Sequence, residues 1–390
     1  MQEKLHQVTI AGGGLVGCVI AYALAQIGIP VLILERLSVD EMLQGGFDGR
    51  ASAISQGSAQ ILREFNLWAQ LEPLAQPIFD ILISDNHQPW FVHFNHTAVG
   101  GQPMGYIIEN TLLRKHLVQA CRDHPLIHWH QGTITALTTS QSQVSITTQN
   151  AASFSSQVLI AADGRHSPLR ELANIAIVRW SYAQKAIVTS VTHELPHNNT
   201  AHEYFFPTGP LALLPMTGDN RSSVVWSDTP ETIDRLSKAT EADFITALTH
   251  RFGNRLGELT LAAPRWSYPL SASFARSYVG PRIALVGDAA HAIHPVAGQG
   301  LNLGIRDAGV LVHELQLAWQ NGLDLGRAST LRSYEKQRFW DNMAMIMATD
   351  QCIRLFGINR LGFPYIRGAA MGLLHRVPFL KRLMIKNAMG

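Results

Sequence analysis

Charge is what this chain has least of. Asp, Glu, Lys and Arg make up 15% of its residues, against about 25% in an average soluble protein, and none of them falls between Leu5 and Leu34. The net charge of +2 makes no case for a nucleic-acid partner, which a basic stripe or a strongly basic balance would announce. Cysteine is equally sparse. Cys18, Cys121 and Cys352 stand far apart in no metal or redox spacing, which argues for a reduced compartment and for three small core residues. The uncharged stretch Leu5–Leu34 is long enough for a membrane span, and "AYA" (Ala21–Ala23) imitates a signal-cleavage site. Gly12, Gly13, Gly14, Gly17, Gly28 and Pro30 break it at turn positions, so it reads as buried strand, glycine turn, helix and strand. A chain of 390 residues needs two or three lobes.

What is present begins with "VTIAGGGLVGCVIAYALAQIGIPVLILERL". An apolar strand over Val8–Ala11 leads into Gly12-x-Gly14-x-x-Gly17, a helix to about Ile27, and a second strand over Val31–Leu34 followed by Glu35. Gly12 permits a tight turn, Gly14 lets backbone approach a pyrophosphate, and Gly17 lets the helix pack on the sheet. The helix N-terminus at Leu15 and Val16 offers free N–H groups and a positive dipole end to phosphates, and Glu35 can accept ribose hydroxyls. In this context the motif marks a dinucleotide site. A dehydrogenase would continue with more βαβ units. Here a glycine turn, "QGGFDGRASAIS" (Gln44–Ser55), presents Arg50, and a helix, "ENTLLRKHLVQAC" (Glu109–Cys121), carries Arg114 and Lys115.

Two further apolar strands end in a glycine and a carboxylate. "SSQVLIAADGRHSPLR" (Ser155–Arg170) ends in Asp163-Gly164, with Ser167 and Arg170 opening a helix. "RIALVGDAAHAIHP" (Arg282–Pro295) ends in Gly287-Asp288. Ligands bind at such carboxyl ends in open α/β sheets. His291 and His294 are three apart, but no carboxylate, Cys or third His stands at ligand spacing, so hydrogen bonding in a loop is the reading and no metal is expected.

With these three motifs in this order, the chain resembles the class A FAD-dependent aromatic hydroxylases, and most closely their ubiquinone-biosynthesis branch. The resemblance spans nearly the whole chain and includes "DGRASAIS", "GPLALLP" (Gly209–Pro215), "VGDAAHAIHPVAGQGLNLGIRDA" and the ending "LKRLMIKNAMG". It implies an α/β fold with a discontinuous Rossmann-type FAD-binding domain, an antiparallel-sheet substrate domain and a helical C-terminal tail. It further implies that Asp288 accepts hydrogen bonds from the ribityl chain and that Pro295 turns the backbone. Gly298 and Gly300 would bring bare backbone beside the isoalloxazine, and a helix starting near Leu301 and Asn302 would aim its positive end at the flavin. Arg50 would reach the flavin from the side, and Arg114 the ribityl–phosphate region. Glu35 and Arg36 would hold the adenosine end, with the backbone near Ile134 at adenine. Asp163 would serve both FAD and an incoming NAD(P)H. No second GxGxxG exists, so NAD(P)H is expected as a transient co-substrate.

Residues from Ile177 to Tyr278 are short alternating segments between Gly, Pro and Asn turns, an antiparallel sheet able to roof the flavin. Phe205, Phe206, Leu211, Leu214, Pro215 and Trp226 are candidate pocket walls, although core packing is the commoner role of such residues. Glu231–Gly253 reads as an amphipathic helical insert. After Asp350 no acidic residue occurs, while Arg354, Arg360, Arg367, Arg376, Lys381, Arg382 and Lys386 do. That tail is either a solvated helical segment packed on the flavin domain, a basic face on anionic lipid, or a subunit contact. The expected boundaries are 1–75, 101–176 and 279–345 for the FAD-binding segments, 76–100 and 177–278 for the substrate sheet, and 346–390 for the tail.

The resemblance implies a monooxygenase that hydroxylates the ring of a prenylated phenol with NAD(P)H and O2 through a flavin C4a-hydroperoxide. The other ubiquinone-biosynthesis proteins would be partners, and the location cytoplasmic or peripheral to the inner membrane. The sequence singles out no catalytic acid or base. The alternatives are a hydroxylase of a soluble aromatic, a flavin reductase of an isoprenoid, and a catalytically idle flavin-bound scaffold.

Overall fold

The computed structural model describes residues 5–44, 46, 49–85, 91–358, 362–363, 367–368 and 371–372. Its first sheet runs in the order β18 (Val279–Gly280), β19 (Ile283–Leu285), β11 (Ser153–Ala161), β1 (Leu5–Ala11), β2 (Val31–Glu35), β8 (Ile127–Gln131), with β9 (Ile134–Thr139) and β10 (Val144–Thr148) attached to β11. From β19 to β8 all neighbours are parallel. Strands of this kind are covered on both faces, which is why β1 and β2 are apolar runs without alternation. Val8, Thr9, Ile10, Val31 and Ile33 are fully buried. The covering helices include α1 (Leu15–Gln26), α5 (Asn110–Asp123), α9 (Gln299–Gln320) and α10 (Ala328–Gly357). Beneath the first turn lie two buried thiols: Cys18 donates to the Gly13 carbonyl (3.1 Å) and Cys121 to the Cys18 carbonyl (3.3 Å). Cys352 is only half-buried.

The second sheet is ordered β20 (His291–Ala292), β17 (Trp266–Ala275), β12 (Ile177–His193), β15 (Arg221–Asp228), β14 (Gly209–Pro215), β13 (Thr200–Phe206), β5 (Asp80–Asp85), β6 (Phe91–Asn95), with β16 (Leu259–Leu261) beside β12. It is antiparallel except where β13 meets β5, a parallel pair that joins the early and late parts of the chain. A small third sheet, β3 (Ala51–Ser55), β7 (Gly105–Glu109), β4 (Gln76–Ile78), lies between the two. Short helices α2 (Val39–Gln44), α3 (Gln56–Glu64), α4 (Trp68–Leu71) and α6 (Pro168–Leu172) complete the connections.

The structure corrects the sequence reading at several points. The expected insert at Glu231–Gly253 is two helices, α7 (Pro230–Lys238) and α8 (Glu241–Phe252). The break falls where the Thr240 hydroxyl accepts from the Asp243 N–H (3.1 Å), an N-cap that competes with helix continuation. Of the six candidate pocket walls, Phe206, Leu211 and Trp226 face α7 and α8 in a separate core. Phe205 lies on the opposite face, stacked on Phe356 of α10 (4.1 Å). Helix α9 starts at Gln299, two residues before the expected Leu301.

The tail differs from a uniformly basic face. Arg354 pairs with Asp350 one turn away (2.6 Å). Arg367 is buried and forks onto the fully buried Asp85, Nε to Oδ2 at 2.6 Å and a terminal nitrogen to Oδ1 at 2.7 Å. Its other terminal nitrogen donates to the carbonyls of Leu355, Phe356 and Ile358, so one guanidinium closes the α10 C-terminus and ties it to β5. Arg360, Arg376, Lys381, Arg382, Lys386 and the "LKRLMIKNAMG" ending lie outside the described residues. No described helix is long and apolar enough to cross a membrane.

Removing one partner of a buried pair leaves an uncompensated charge, at about 3–5 kcal/mol. Arg367→Ala and Asp85→Ala should each lower the thermal midpoint sharply. The double variant Asp85→Leu/Arg367→Met should unfold at a higher temperature than either single variant, as scanning fluorimetry would read. Additive losses would show that the two side chains act independently.

Candidate functional site

The strands β19, β11 and β1 are parallel neighbours, so the turns that follow them emerge side by side. These turns touch. A Cβ on Gly12 would collide with the carbonyl of Ala162, beside Asp163, and one on Gly17 would collide with the Gly12 carbonyl. The late turn closes from the other side. Val16 is packed against Gly287 and against Gly304 of α9, where an added Cβ would come within 2.6 Å of it. Three motifs far apart in sequence therefore meet around the first turn of α1.

Buried polar groups behind the turns fix them in place. Asp307 of α9 is fully buried. One of its oxygens accepts from the Gly287 N–H (3.0 Å) and pairs with His291 Nε2 (2.6 Å). The other accepts from Arg338 Nε (2.9 Å) and Asn342 Nδ2 (3.0 Å) on α10. Burial would raise its pKa, but the His291 and Arg338 charges and the hydrogen bonds of His291 and Asn342 hold it down at about 2. Arg170 of α6, 1% exposed, donates to the Ala289 carbonyl (2.8 Å) and joins the second turn to the third. His294 accepts from the Val296 N–H at Nδ1 (3.2 Å), which leaves Nε2 to donate to Gln184 Oε1 (3.1 Å). Burial pushes its pKa to about 4, so it is a neutral strut for the loop 295–298.

These elements enclose a cavity of about 930 Å³. Of the residues expected at the cofactor, Gly14, Leu15, Val16, Arg50, Gly164, Gly287, Asp288, Pro295, Gly298, Gly300, Leu301 and Asn302 all line it. Gly12 and Gly17 support it from behind. Glu35 does not line it. Its carboxylate accepts from the Gly13 N–H (2.7 Å) and the Leu37 N–H (3.2 Å), holding the first turn onto β2. Arg36 is exposed, Arg114 is half-buried in α5, and Ile134 opens β9; none of the three reaches the cavity wall. Gly45, Phe47 and Asp48 of the turn before Arg50 lie outside the described residues. Asn302 lines the wall, but its amide is engaged with backbone: it accepts from Ser55 N–H (2.8 Å) and donates to the carbonyls of Ala53 (2.8 Å) and Gly298 (3.0 Å). It pins β3 to the start of α9.

Two features suit an anionic dinucleotide. Helices α3, α6, α7 and α8 begin with a Ser or Thr side chain bonded to a first-turn N–H. Helices α1 and α9 begin at Gly14 and Gly298 with no side-chain cap, and both open into this one cavity. Uncapped first-turn N–H groups favour phosphate or a developing negative charge. An added Cβ on Gly14 or Gly300 would meet nothing within 4 Å, so bare backbone faces open space there. Beside the rim, the shielded Oδ1 of the half-buried Asp163 has no hydrogen-bond partner, while Oδ2 accepts from the Leu169 N–H (3.2 Å). Burial raises the Asp163 pKa against the hydrogen bonds that lower it. A buried acceptor left open in this way fits a ligand hydroxyl or amide. Among the described residues no three His, Cys, Asp or Glu are grouped to hold a metal ion.

The far end of the cavity is apolar. Ile78, Ile81, Ile83, Phe94, Met104 and Leu214 line it. Leu214 alone of the six expected walls is there: Phe206, Leu211 and Trp226 turn toward α7 and α8, and Phe205 stacks on Phe356 of α10. Sequence reasoning missed Asn110, which accepts from Ser52 at the cavity wall (2.6 Å), and it gave no role to Asp307, Arg338 or Arg170. The aspartate in "GIRDA" was a visible signal, but only its burial makes it informative.

Residues 6–349 match the FAD binding domain family. Over its whole length the chain is 40% identical to the ubiquinone hydroxylase UbiL of Rhodospirillum rubrum, with 90% of that protein covered. It is 32% identical to the 3-demethoxyubiquinol 3-hydroxylase of Escherichia coli, with both chains covered fully. With the human mitochondrial ubiquinone biosynthesis monooxygenase COQ6 it shares 32% identity over 99% of this chain and 93% of that protein. Among solved structures, p-nitrophenol 4-monooxygenase PnpA from Pseudomonas putida superimposes with a TM-score of 0.82 over 100% of this chain and 99% of that one, at 18% identity. That likeness speaks for the fold.

The neutral His294 gives the site a pH signature. Its pKa of about 4 in the fold lies below the ordinary value near 6.5. As pH falls below 6.5 the unfolded chain gains a proton that the fold refuses until about pH 4, so stability declines across that window, by about 2 kcal/mol between pH 7.5 and 5.0. His294→Gln should unfold more easily at pH 7.5 and lose that share of the pH dependence in urea titrations. An unchanged slope would mean that His294 is not held neutral.

Proposed function

Since the chain belongs to the FAD binding domain family, we propose that it is an FAD-dependent monooxygenase that hydroxylates the aromatic ring of a prenylated phenol in ubiquinone biosynthesis. The observation that carries this reading is one continuous cavity that begins at two uncapped helix N-termini and ends among aliphatic side chains. Bound FAD, once reduced by NAD(P)H, supplies the activation of O2 for insertion into an electron-rich ring. The protein's part is to bind, orient and keep the site dry. Gly14, Leu15 and Val16 would receive the pyrophosphate on backbone N–H groups, with Gly12 and Gly17 allowing the turn. Asp288 would hold the ribityl hydroxyls, assisted by Asp163, Gly164 and Gly287. Arg50, Pro295, Gly298, Gly300 and Leu301 would frame the ring system, with the first turn of α9 stabilising negative charge on it. Glu35 acts through the turn it holds, and its remaining acceptor capacity, with Arg36 and Ile134, belongs to the adenosine end. Arg114 would act from behind the wall on the ribityl–phosphate region. The apolar end excludes water from the reacting ring and suits a hydrocarbon substituent better than a soluble acid.

A lipid-borne substrate also requires contact with a membrane surface. On α10, Trp340, Met347 and Leu355 are 73%, 58% and 44% exposed, along the same helix as the exposed Arg354. Such a face suits the interfacial region of an anionic bilayer.

The purified protein should be yellow and should release FAD on denaturation. Cells lacking it should accumulate a prenylated ring precursor short of one hydroxyl, identified in lipid extracts by mass spectrometry. Accumulation of none would overturn the substrate assignment while leaving the flavin assignment standing. For the membrane contact, the protein should sediment with anionic vesicles, and Trp340→Glu/Met347→Glu should reduce the bound fraction about tenfold or more, since each buried apolar side chain contributes about 1.5–3 kcal/mol. Equal sedimentation of both proteins would exclude this face.

A further inference from the structure

Strand β12 is broken in register against β17. Between Ser181, opposite Ser271, and Lys185, opposite Pro269, three residues of β12 stand against one of β17, Leu270. Bulges of this kind bend a strand and re-aim its side chains. Here Tyr182 and Gln184 are half-buried while Ser181 and Ala183 are exposed, and both half-buried side chains meet His294. The Tyr182 ring stands edge-on to the imidazole, perpendicular to it with centroids 5.0 Å apart, and its hydroxyl donates to Asp350 of α10 (2.9 Å). Gln184 accepts from His294 Nε2 on Oε1 (3.1 Å) and donates its own amide N–H to the carbonyl of Thr208 (2.9 Å), in the hairpin between β13 and β14. These bonds admit one arrangement. The Val296 N–H donates to Nδ1, so the ring proton is on Nε2 and requires an acceptor. With its amide turned over, Gln184 would set N–H against N–H at His294 and oxygen against oxygen at Thr208. The tautomer of His294 and the orientation of Gln184 therefore fix each other. The loop they hold lines the cavity through Pro295, Val296 and Gly298.

We propose that Gln184 is a positioning residue for the flavin: by keeping the His294 proton on Nε2 it leaves Nδ1 free to accept the Val296 N–H, and so sets the loop 295–298 against the isoalloxazine. The inference rests on FAD occupying this cavity and is independent of which ring compound is hydroxylated. Within the loop, the Gly298 N–H donates to the Pro295 carbonyl (3.0 Å) and the Gly298 carbonyl accepts from Asn302 (3.0 Å). His294 adds the bond to the roof. Beyond Gln184, the Thr208 hydroxyl accepts from Arg251 of α8 (2.8 Å), so a line of hydrogen bonds runs from the helices behind the roof to the backbone beside the flavin. Protonation of His294 would break that line, because an imidazolium donates from both nitrogens and the Val296 N–H would then face a donor. The groups around the ring keep it neutral. Burial holds the His294 pKa at about 4 against the raising influence of the Asp350 charge. Tyr182 is pushed up to about 12 by burial and by its bond to Asp350. Asp350 is half-shielded, which opposes its charge, but the bonds from Arg354, Tyr182 and Trp180 hold its carboxyl below the usual range. None of these three groups changes charge around neutral pH.

The test uses the full-length, FAD-loaded protein and follows flavin absorbance and fluorescence from about pH 5.5 to 8.5, a range that spans the ordinary histidine pKa. The wild type should be flat across it. In Gln184→Glu the new carboxylate stabilises a proton on His294, Nδ1 stops accepting, and both signals should shift in one step near neutral pH. Adding His294→Gln to Gln184→Glu should abolish the step, because the titrating ring is gone. Gln184→Met removes the acceptor without adding charge. Its FAD dissociation constant should rise about tenfold, since a buried donor is left unsatisfied, and its signals should show no such step. A Gln184→Glu protein that holds FAD and stays flat overturns the role of Gln184, as does a step that survives in the double variant. If the Glu variant does not hold FAD, the Met variant decides, and an unchanged dissociation constant overturns the proposal. A wild type that takes up no FAD overturns the flavin assignment, and this inference with it.

Discussion

The contact among three backbone turns is the constraint on which the rest depends. Gly12 lies against Ala162, Gly17 lies against Gly12, and Val16 fills the space beside Gly287 and Gly304. No side chain larger than hydrogen fits at Gly12 or Gly17, and parallel neighbours bring the three strand ends to the same edge of the sheet. The approach of the turns leaves α1 and α9 with their N-termini toward a common space. Two sets of unsatisfied N–H groups then face one cavity, which no single turn could arrange.

Polar satisfaction holds that geometry. The chain carries few charges, and several of them are buried and bonded rather than displayed. Asp307 ties the Gly287 turn to His291, Arg338 and Asn342. Arg170 ties the Asp163 turn to the Ala289 carbonyl, and Arg367 ties the end of α10 to Asp85. A buried charge is tolerated when it is paired and hydrogen-bonded, and each of these links segments remote in sequence. They act as rivets between parts of the chain that hydrophobic packing alone would leave free to slide.

The cavity itself arises from a difference in side-chain size between the two faces of one sheet. On β13, β14 and β15, Tyr204, Phe206, Leu211, Leu213, Val224 and Trp226 pack toward α7 and α8. Of the alternate positions, Ala201, Glu203, Ala212, Leu214, Val225 and Ser227 line the cavity, while Phe205 stacks on Phe356 of α10. Period-two alternation makes the faces distinct, but it does not say which face looks at the ligand. Large aromatic residues attract attention in a sequence, and here most of them were on the wrong side.

The sequence by itself determined the local grammar: the strand–turn–helix of the first motif, the glycines in each turn, the strands ending in Asp163-Gly164 and Gly287-Asp288, and the alternating segments of the second sheet. These follow from short-range rules, because turn geometry, helix capping and side-chain periodicity are set within a few residues. Only the tertiary structure decided that Glu35 and Asn302 bond backbone at the site, that Asp307 and Arg170 lock the turns, that Arg367 is buried instead of solvated, and that the β12 bulge turns Gln184 toward His294. Those outcomes depend on which strands become neighbours and in what register, and a register is a property of two segments at once, absent from either one read alone.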